Sequence, residues 1–393
     1  MCADEWDQLA RDVLAGLDES QLRRHRRLIT PIDATHVLCD GRECVNFASN
    51  NYLGLTHHPK VIGAAESALR RFGAGSGASP LVSGYGPAHA SAEKHIATWK
   101  QTEATVLLPS GYQANHAAIQ TFAAIAEKSG RTMRFLLDKL CHASLIDAVG
   151  TSGMPLRVFP HNNLSKLERL LVQADRDELQ VVVTESIFSM DGDAADLAGL
   201  ARLKCTYCFA LLLDEAHATG VYGLAGSGLA AEKGLGEIVD VTVITCSKAL
   251  GGAGGAVCGS RAFCDSVVNL ARAYIYSTNV TPMMAAATDA AITVMEDEPS
   301  GQRRLRQLSL HVRKELAGSG RELIQGDSPI IPIVLGTEKL AMEAARSLLD
   351  AGLLVFPIRP PTVSRGTSRL RITLSSEHSD PEIERLISAL AGI

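Results

Sequence analysis

The residues of this 393-residue chain that could act chemically together lie at the ends of apolar runs. In LLLDEAHATG a buried-strand pattern ends on Asp214, and His217 follows three residues later on the loop beyond the strand. In open α/β sheets, ligands collect at the carboxyl ends of strands. A carboxylate there can pair with a protonated heteroaromatic nitrogen and keep the ring cationic, while a nearby imidazole can hydrogen-bond the ring's phenolic oxygen. In VTVITCSKALGGAGG a second apolar run ends at Thr245 and delivers Lys248 into a turn with glycines at 251, 252, 254 and 255. Beside a cationic ring this ammonium should lose its proton more readily, leaving an amine able to form an imine and later to move a proton. In LLPSGYQANHAAI a third run enters Ser110 and Gly111 ahead of a long helical pattern, whose free N–H groups suit a phosphate. Each motif also has a plainer reading: Asp214 and His217 can cap a loop, Lys248 can sit in a turn, and Ser110 can be an N-cap. Their order along one sheet is phosphate end, ring nitrogen, imine.

The elements that must position these residues can be read from periodicity. From about Glu103 to Ile292, short apolar runs alternate with segments of helical period, the pattern of βαβ units and a mostly parallel sheet. Strands are expected from Ala104, Arg134, Leu156, Val181, Phe209, Val241 and Gly255. Because these runs are continuous rather than alternating in polarity, helices should cover both faces of the sheet. YQANHAAIQTFAAIA, LSKLERLLVQA and ADLAGLARL supply such helices, and a long helical pattern follows Pro282. Beyond it IIPIVLG, LLVFPI and RLRITLS alternate with helices as a second, smaller α/β lobe. The expected division is 1–60 packing beside the small lobe, 61–298 as the large domain and 299–393 as the small domain.

Composition narrows the function. The net charge is −5, with no basic face beyond the N-terminal LRRHRR, so nucleic-acid or anionic-membrane binding has no support and small-molecule chemistry is expected. MCADEWDQLA does not read as a leader, and the longest apolar runs fall far short of the roughly 18 residues that span a bilayer, so a cytoplasmic protein is expected. Nine cysteines in apolar contexts read as reduced thiols. Cys205 and Cys208 form the one CxxC pair, without a second pair at metal spacing, so no metal is expected. GLAGSGLA near Gly226 is the one hint of a nicotinamide enzyme, and no strand leads into it.

The ordered motifs NFASNNYLGLTHHP, VSGYGPAHASAEKHIA, SGYQANHAAI, DKLCHASLIDA, VTESIFSMDGD, LLLDEAHATGVYG, SKALGG, YSTNVTP and GTSRLRITLSSEHS run almost end to end. Together they resemble the α-oxoamine synthases, pyridoxal 5'-phosphate enzymes of the aspartate-aminotransferase fold (fold type I). The resemblance implies a Schiff base on Lys248, Asp214 on the pyridine nitrogen, His217 on the ring oxygen and His142 stacked on the ring. It implies Gly111 and Tyr112 at the phosphate, Ser189 on a cofactor oxygen and Thr245 as a phosphate ligand. Ser277 and Thr278 would reach the partner subunit's cofactor, which implies an obligate homodimer. Two departures stand out: Cys246 and Ser247 precede the lysine where Leu-Gly or a similar pair is usual, and SGASPL around Ser79 replaces an SGGSR-like run.

The implied reaction is condensation of an amino acid with an acyl-CoA or carrier-protein thioester, with loss of CO2. Within the family, IRPPTV followed by GTSRLR is most similar to members that join L-alanine to a pimeloyl thioester; members using glycine or serine are the alternative. By that similarity Arg371 leads for the amino-acid carboxylate, Arg359 is second, and Asn50, His142 and Thr362 contact substrate. Arg24 is the substrate arginine of LRRHRR, with Arg23 as the alternative alignment.

Overall fold

Side-chain alternation within the apolar runs decides the architecture of the large lobe. The computed structural model describes residues 3–175, 177–318 and 323–393. Val106, Phe135, Val181, Val183, Leu212, Val243 and Val257 point into one core, with the helices Gly111–Lys128, Ala143–Thr151 and Arg261–Leu270. Their neighbours Leu107, Leu136, Val182, Leu211, Leu213, Ile244 and Cys258 point into another, with the helices Leu164–Val172, Leu197–Thr206 and Pro282–Asp297. Both faces of the central strands are therefore buried, which is why the middles of these runs are apolar on both sides and their charged residues fall mostly near the ends.

The seven strands lie in the order Ala104–Leu108, Gly255–Gly259, Val241–Thr245, Ala210–Asp214, Leu179–Glu185, Met133–Asp138, Leu156–Phe159. All seven expected strands are present. Gly255–Gly259 alone runs antiparallel to its neighbours; the others are parallel, so their carboxyl ends share one edge. Glu185 and Asp214 sit side by side there as register partners.

In the C-terminal lobe Ser368–Thr373 lies between Ile330–Gly336 and Phe356–Ile358, antiparallel to both. Pro332 and Pro357 fall in the two outer strands, where a missing N–H costs no ladder bond. LLVFPI, which reads as one strand, divides: Leu353–Leu354 pairs with Arg42–Asn46 and Phe356–Ile358 with Ser368–Thr373. The first pairing joins the N-terminal strands Ile29–Pro31, His36–Cys39 and Arg42–Asn46 to the C-terminal lobe in one sheet. Among the described residues no helix is long and apolar enough to cross a membrane, and no cluster of three or more His, Cys, Asp or Glu could hold a metal ion. Cys205 and Cys208 are exposed free thiols.

Candidate active site

Asp214 ends its strand on the shared edge, buried, with both oxygens engaged. Oδ1 accepts from the Ala216 amide at 2.8 Å and Oδ2 from Asn115 Nδ2 at 2.7 Å. Asn115 Nδ2 also donates to Ser144 Oγ at 2.8 Å. The Ser144 amide donates to His142 Nδ1 at 3.2 Å, and its hydroxyl lies 2.8 Å from the same nitrogen. With Nδ1 accepting, a neutral His142 carries its proton on Nε2. One network thus orients both the carboxylate and the imidazole. Asn115 Oδ1 is left buried without a protein partner.

A second network starts at Lys248. Its Nζ lies 2.8 Å from His217 Nε2, and His217 Nδ1 lies 2.6 Å from the Tyr52 hydroxyl. Since the lysine must donate to Nε2, Nδ1 carries the imidazole proton and donates to Tyr52, whose hydroxyl donates to Asn50 Oδ1 at 3.3 Å. That same oxygen accepts from both terminal nitrogens of Arg371 at 3.1 Å. Arg371 is braced further by Nε donating to the Ser189 carbonyl at 2.7 Å and NH1 to Thr373 Oγ1 at 2.9 Å. A continuous chain of hydrogen bonds, converging on the Asn50 Oδ1 acceptor, therefore links Arg371 to the lysine amine.

Burial sets the charges. Desolvation lowers the Lys248 ammonium to about 8, with Arg371 pushing the same way and Asp214 and Glu185 opposing. The sequence reading assigns this drop to a cationic ring; burial produces it in the protein alone. Burial, then the charge of Lys248, hold His217 well below the ordinary histidine range, so it is a neutral imidazole. Burial also lowers His142. Burial, then the neighbouring Asp214, push Glu185 well above the usual carboxylate range. Glu185 accepts the His142 backbone N–H.

The opposite end is the start of the helix Gly111–Lys128. Ser110 Oγ accepts from the Gln113 amide at 3.1 Å, capping the helix, while the Gly111 and Tyr112 amides belong to the first turn, which has no intrahelical acceptor. A Cβ on Gly255 would lie 2.6 Å from Gly111 Cα, so the bare glycine lets this helix end approach the sheet. Thr245 and Ser247 hydroxyls meet at 2.9 Å beside it. Ser110 thus fills both the capping role and the role of leading the helix into the site.

These groups share one cavity of about 220 Å³, lined by Gly111, Tyr112, His142, Asp214, His217, Thr245 and Lys248 together with Asn115, Ser144 and Glu185. Ser189, Asn50 and Arg371 lie outside its wall but join it through the Tyr52 chain. Ser277 Oγ accepts from Gln113 Nε2 at 3.0 Å near the helix start, and Thr278 is exposed beside it. Arg24, Arg359 and Thr362 form a separate group. Arg24 donates to the Pro360 carbonyl, Arg359 to the Gln21 and Arg23 carbonyls, and the Thr362 amide to the Arg359 carbonyl. Arg23, ion-paired with Asp18, lines a surface cleft with Arg359. The glycines near Gly226 pack instead against Gly220 and the Glu215 carboxylate.

Sequence reasoning missed Tyr52, Asn115, Ser144 and Glu185. Signals existed for two of them: Glu185 ends the apolar VVVTE as Asp214 ends LLLD, and Asn115 is a polar residue on the buried face of an alanine-rich helix.

The description "Aminotransferase class I and II" matches residues 42–390. The chain belongs to that family. Within the class I and II aminotransferases, it is 41% identical over 380 residues to an 8-amino-7-oxononanoate synthase of Gluconacetobacter diazotrophicus, covering 95% of each chain. It is 40% identical over 383 residues to a putative enzyme of the same name from Desulforudis audaxviator, covering 98% of each. A solved structure of SPT with PLP superposes with a TM-score of 0.92 at 26% identity, covering 100% of this chain and 98% of that one. The expected fold type I architecture is therefore present in this member of the class I and II aminotransferase family.

Proposed function

We propose that the chain joins L-alanine to a pimeloyl thioester, releasing CO2 and the free thiol and forming 8-amino-7-oxononanoate, a biotin precursor. The observation that carries this reading is near-full-length identity of about 40% to relatives of that name, on a chain with a lysine in the cavity wall.

The residues fit pyridoxal phosphate on features of this chain. The cavity is large enough for a substituted pyridine, its helix end offers first-turn N–H groups, and its wall carries a carboxylate held by two donors. Gly111, Tyr112 and Thr245 would hold the phosphate, Asp214 the ring nitrogen, His217 and Ser189 the ring oxygen, and Lys248 the reactive carbon. When bound, the cofactor supplies an electron sink for the substrate's α-carbon. Lys248, whose lowered pKa keeps part of the amine free near neutrality, then takes the α-proton at Nζ. His142, oriented through Ser144, covers the ring face and meets the incoming thioester carbonyl. Arg371 offers its planar fork to the amino-acid carboxylate, with its Nε already fixed by Ser189.

Arg24, Arg359 and Thr362 belong in this reading to the acyl-donor end, supported by the hydrogen bonds that group them through the Pro360, Gln21 and Arg359 carbonyls. Ser277 and Thr278 belong to a homodimer in which each subunit reaches the other's site, supported by Ser277 bonding at the phosphate-end helix while Thr278 stays exposed. The mildly acidic chain then works in the cytoplasm without nucleic-acid or membrane partners. The test is CO2 release from a panel of alanine, glycine and serine against pimeloyl-CoA and acetyl-CoA. Alanine with pimeloyl-CoA should give the highest kcat/KM; faster turnover of glycine or serine refutes the assignment.

A further inference from the structure

Outside the cavity, His161 lies between two carboxylates. Its Nδ1 is 3.1 Å from Asp138 Oδ1 and its Nε2 is 2.7 Å from Asp193 Oδ2. Asp138 also accepts the Leu140 and Asn162 amides at 2.9 Å. With an acceptor at each nitrogen, the ring is an imidazolium donating twice. Burial alone would strip that proton; Asp138 and Asp193, the titratable groups facing the ring among the described residues, outweigh it and hold the pKa at about 10. The edge of the same ring meets Phe188 with centroids 4.3 Å apart.

Each carboxylate belongs to a segment that builds the site. Asp138 ends the strand Met133–Asp138, just before the turn that presents His142. Asp193 is at the base of a hairpin in which Ile187 bridges Ala194 and the Phe188 amide donates to the Asp193 carbonyl. The hairpin tip faces the C-terminal lobe: the Ser189 carbonyl takes Arg371 Nε, and Asp191 takes Arg369 at 2.5 Å.

We propose that His161 is a positioning residue for the amino-acid end of the site, tying the base of the 187–194 hairpin to the end of the Met133–Asp138 strand and so fixing the Ser189 carbonyl that aims Arg371. The proposal rests on the reading of Arg371 as the carboxylate-binding residue. Fork-on-carboxylate recognition depends on angle, so a tilt of the guanidinium weakens amino-acid binding before it affects anything else.

The test measures KM for the amino acid and for the acyl donor, and the visible absorbance of bound cofactor, in His161→Gln, Asp193→Asn, the double variant and Arg371→Lys. Glutamine can satisfy only one of the two acids by donation. Each clamp variant should raise the amino-acid KM about tenfold, and the double should be no worse than the worse single because both remove one contact. Acyl-donor KM and cofactor absorbance should stay within about twofold of wild type. In Asp193→Asn the imidazolium loses one of its two counter-charges and holds its proton less tightly, so the amino-acid KM of this variant should rise further relative to wild type as pH is raised. An unchanged amino-acid KM in both clamp variants, or a raised one accompanied by loss of cofactor absorbance, overturns the proposal, while a raised KM in Arg371→Lys leaves the carboxylate reading standing. An unchanged KM in Arg371→Lys overturns both.

Discussion

Replacing Lys248 with methionine should stabilise the cofactor-free protein while abolishing activity. The side chain is half-buried with its ammonium desolvated by the cavity wall, and its pKa falls from 10.5 to about 8 on folding. The sign runs opposite to that of a paired lysine. Below the folded value both states are charged, and the native state bears the full cost of a buried cation. As pH rises from about 8 towards 10.5 the native amine sheds its proton first, and the cost fades. At about 1.4 kcal/mol per unit, the penalty is about 3 kcal/mol near pH 7 and about 1 kcal/mol near pH 10. Methionine fills a similar volume but leaves His217 Nε2 without its donor, a loss of about 1 kcal/mol. The net gain is therefore about 2 kcal/mol near pH 7 and close to zero near pH 10. The assay is urea or thermal unfolding of cofactor-free wild type and variant at both pH values and one protein concentration. A variant that is less stable at neutral pH, or whose advantage does not change with pH, would refute the electrostatic account of this lysine.

Gly255→Ala should weaken cofactor retention about tenfold and cost about 1–3 kcal/mol of stability, because the new methyl pushes the helix start away from the sheet by way of Gly111; equilibrium dialysis of the folded variant with the cofactor reads this, and unchanged retention removes the phosphate-end assignment. Lys100→Met should cost about 3–5 kcal/mol in urea unfolding, since it strands the Glu215 carboxylate with which Lys100 is buried at 2.5 Å. Lys100→Met combined with Glu215→Leu should recover most of that loss, and a double variant as unstable as the single removes the ion-pair explanation.

The seven apolar runs between Ala104 and Gly259 were legible as strands because burial on both faces imposes a composition that a local window detects. Asp214, His217 and Lys248 were legible for a related reason: a charged residue ending such a run can only lie at the strand's carboxyl edge, and parallel strands share that edge. The division of LLVFPI was not legible, because which neighbour a strand pairs with depends on residues some 300 positions earlier. Nor was the route from Arg371 through Asn50 and Tyr52 to His217, since no local pattern marks a hydroxyl that will lie 2.6 Å from an imidazole in another lobe. The lysine's lowered pKa divides the same way. Sequence alone placed an amine at a ligand-binding edge, whereas the cause of its proton loss, desolvation by everything packed around it, exists only once the chain has folded.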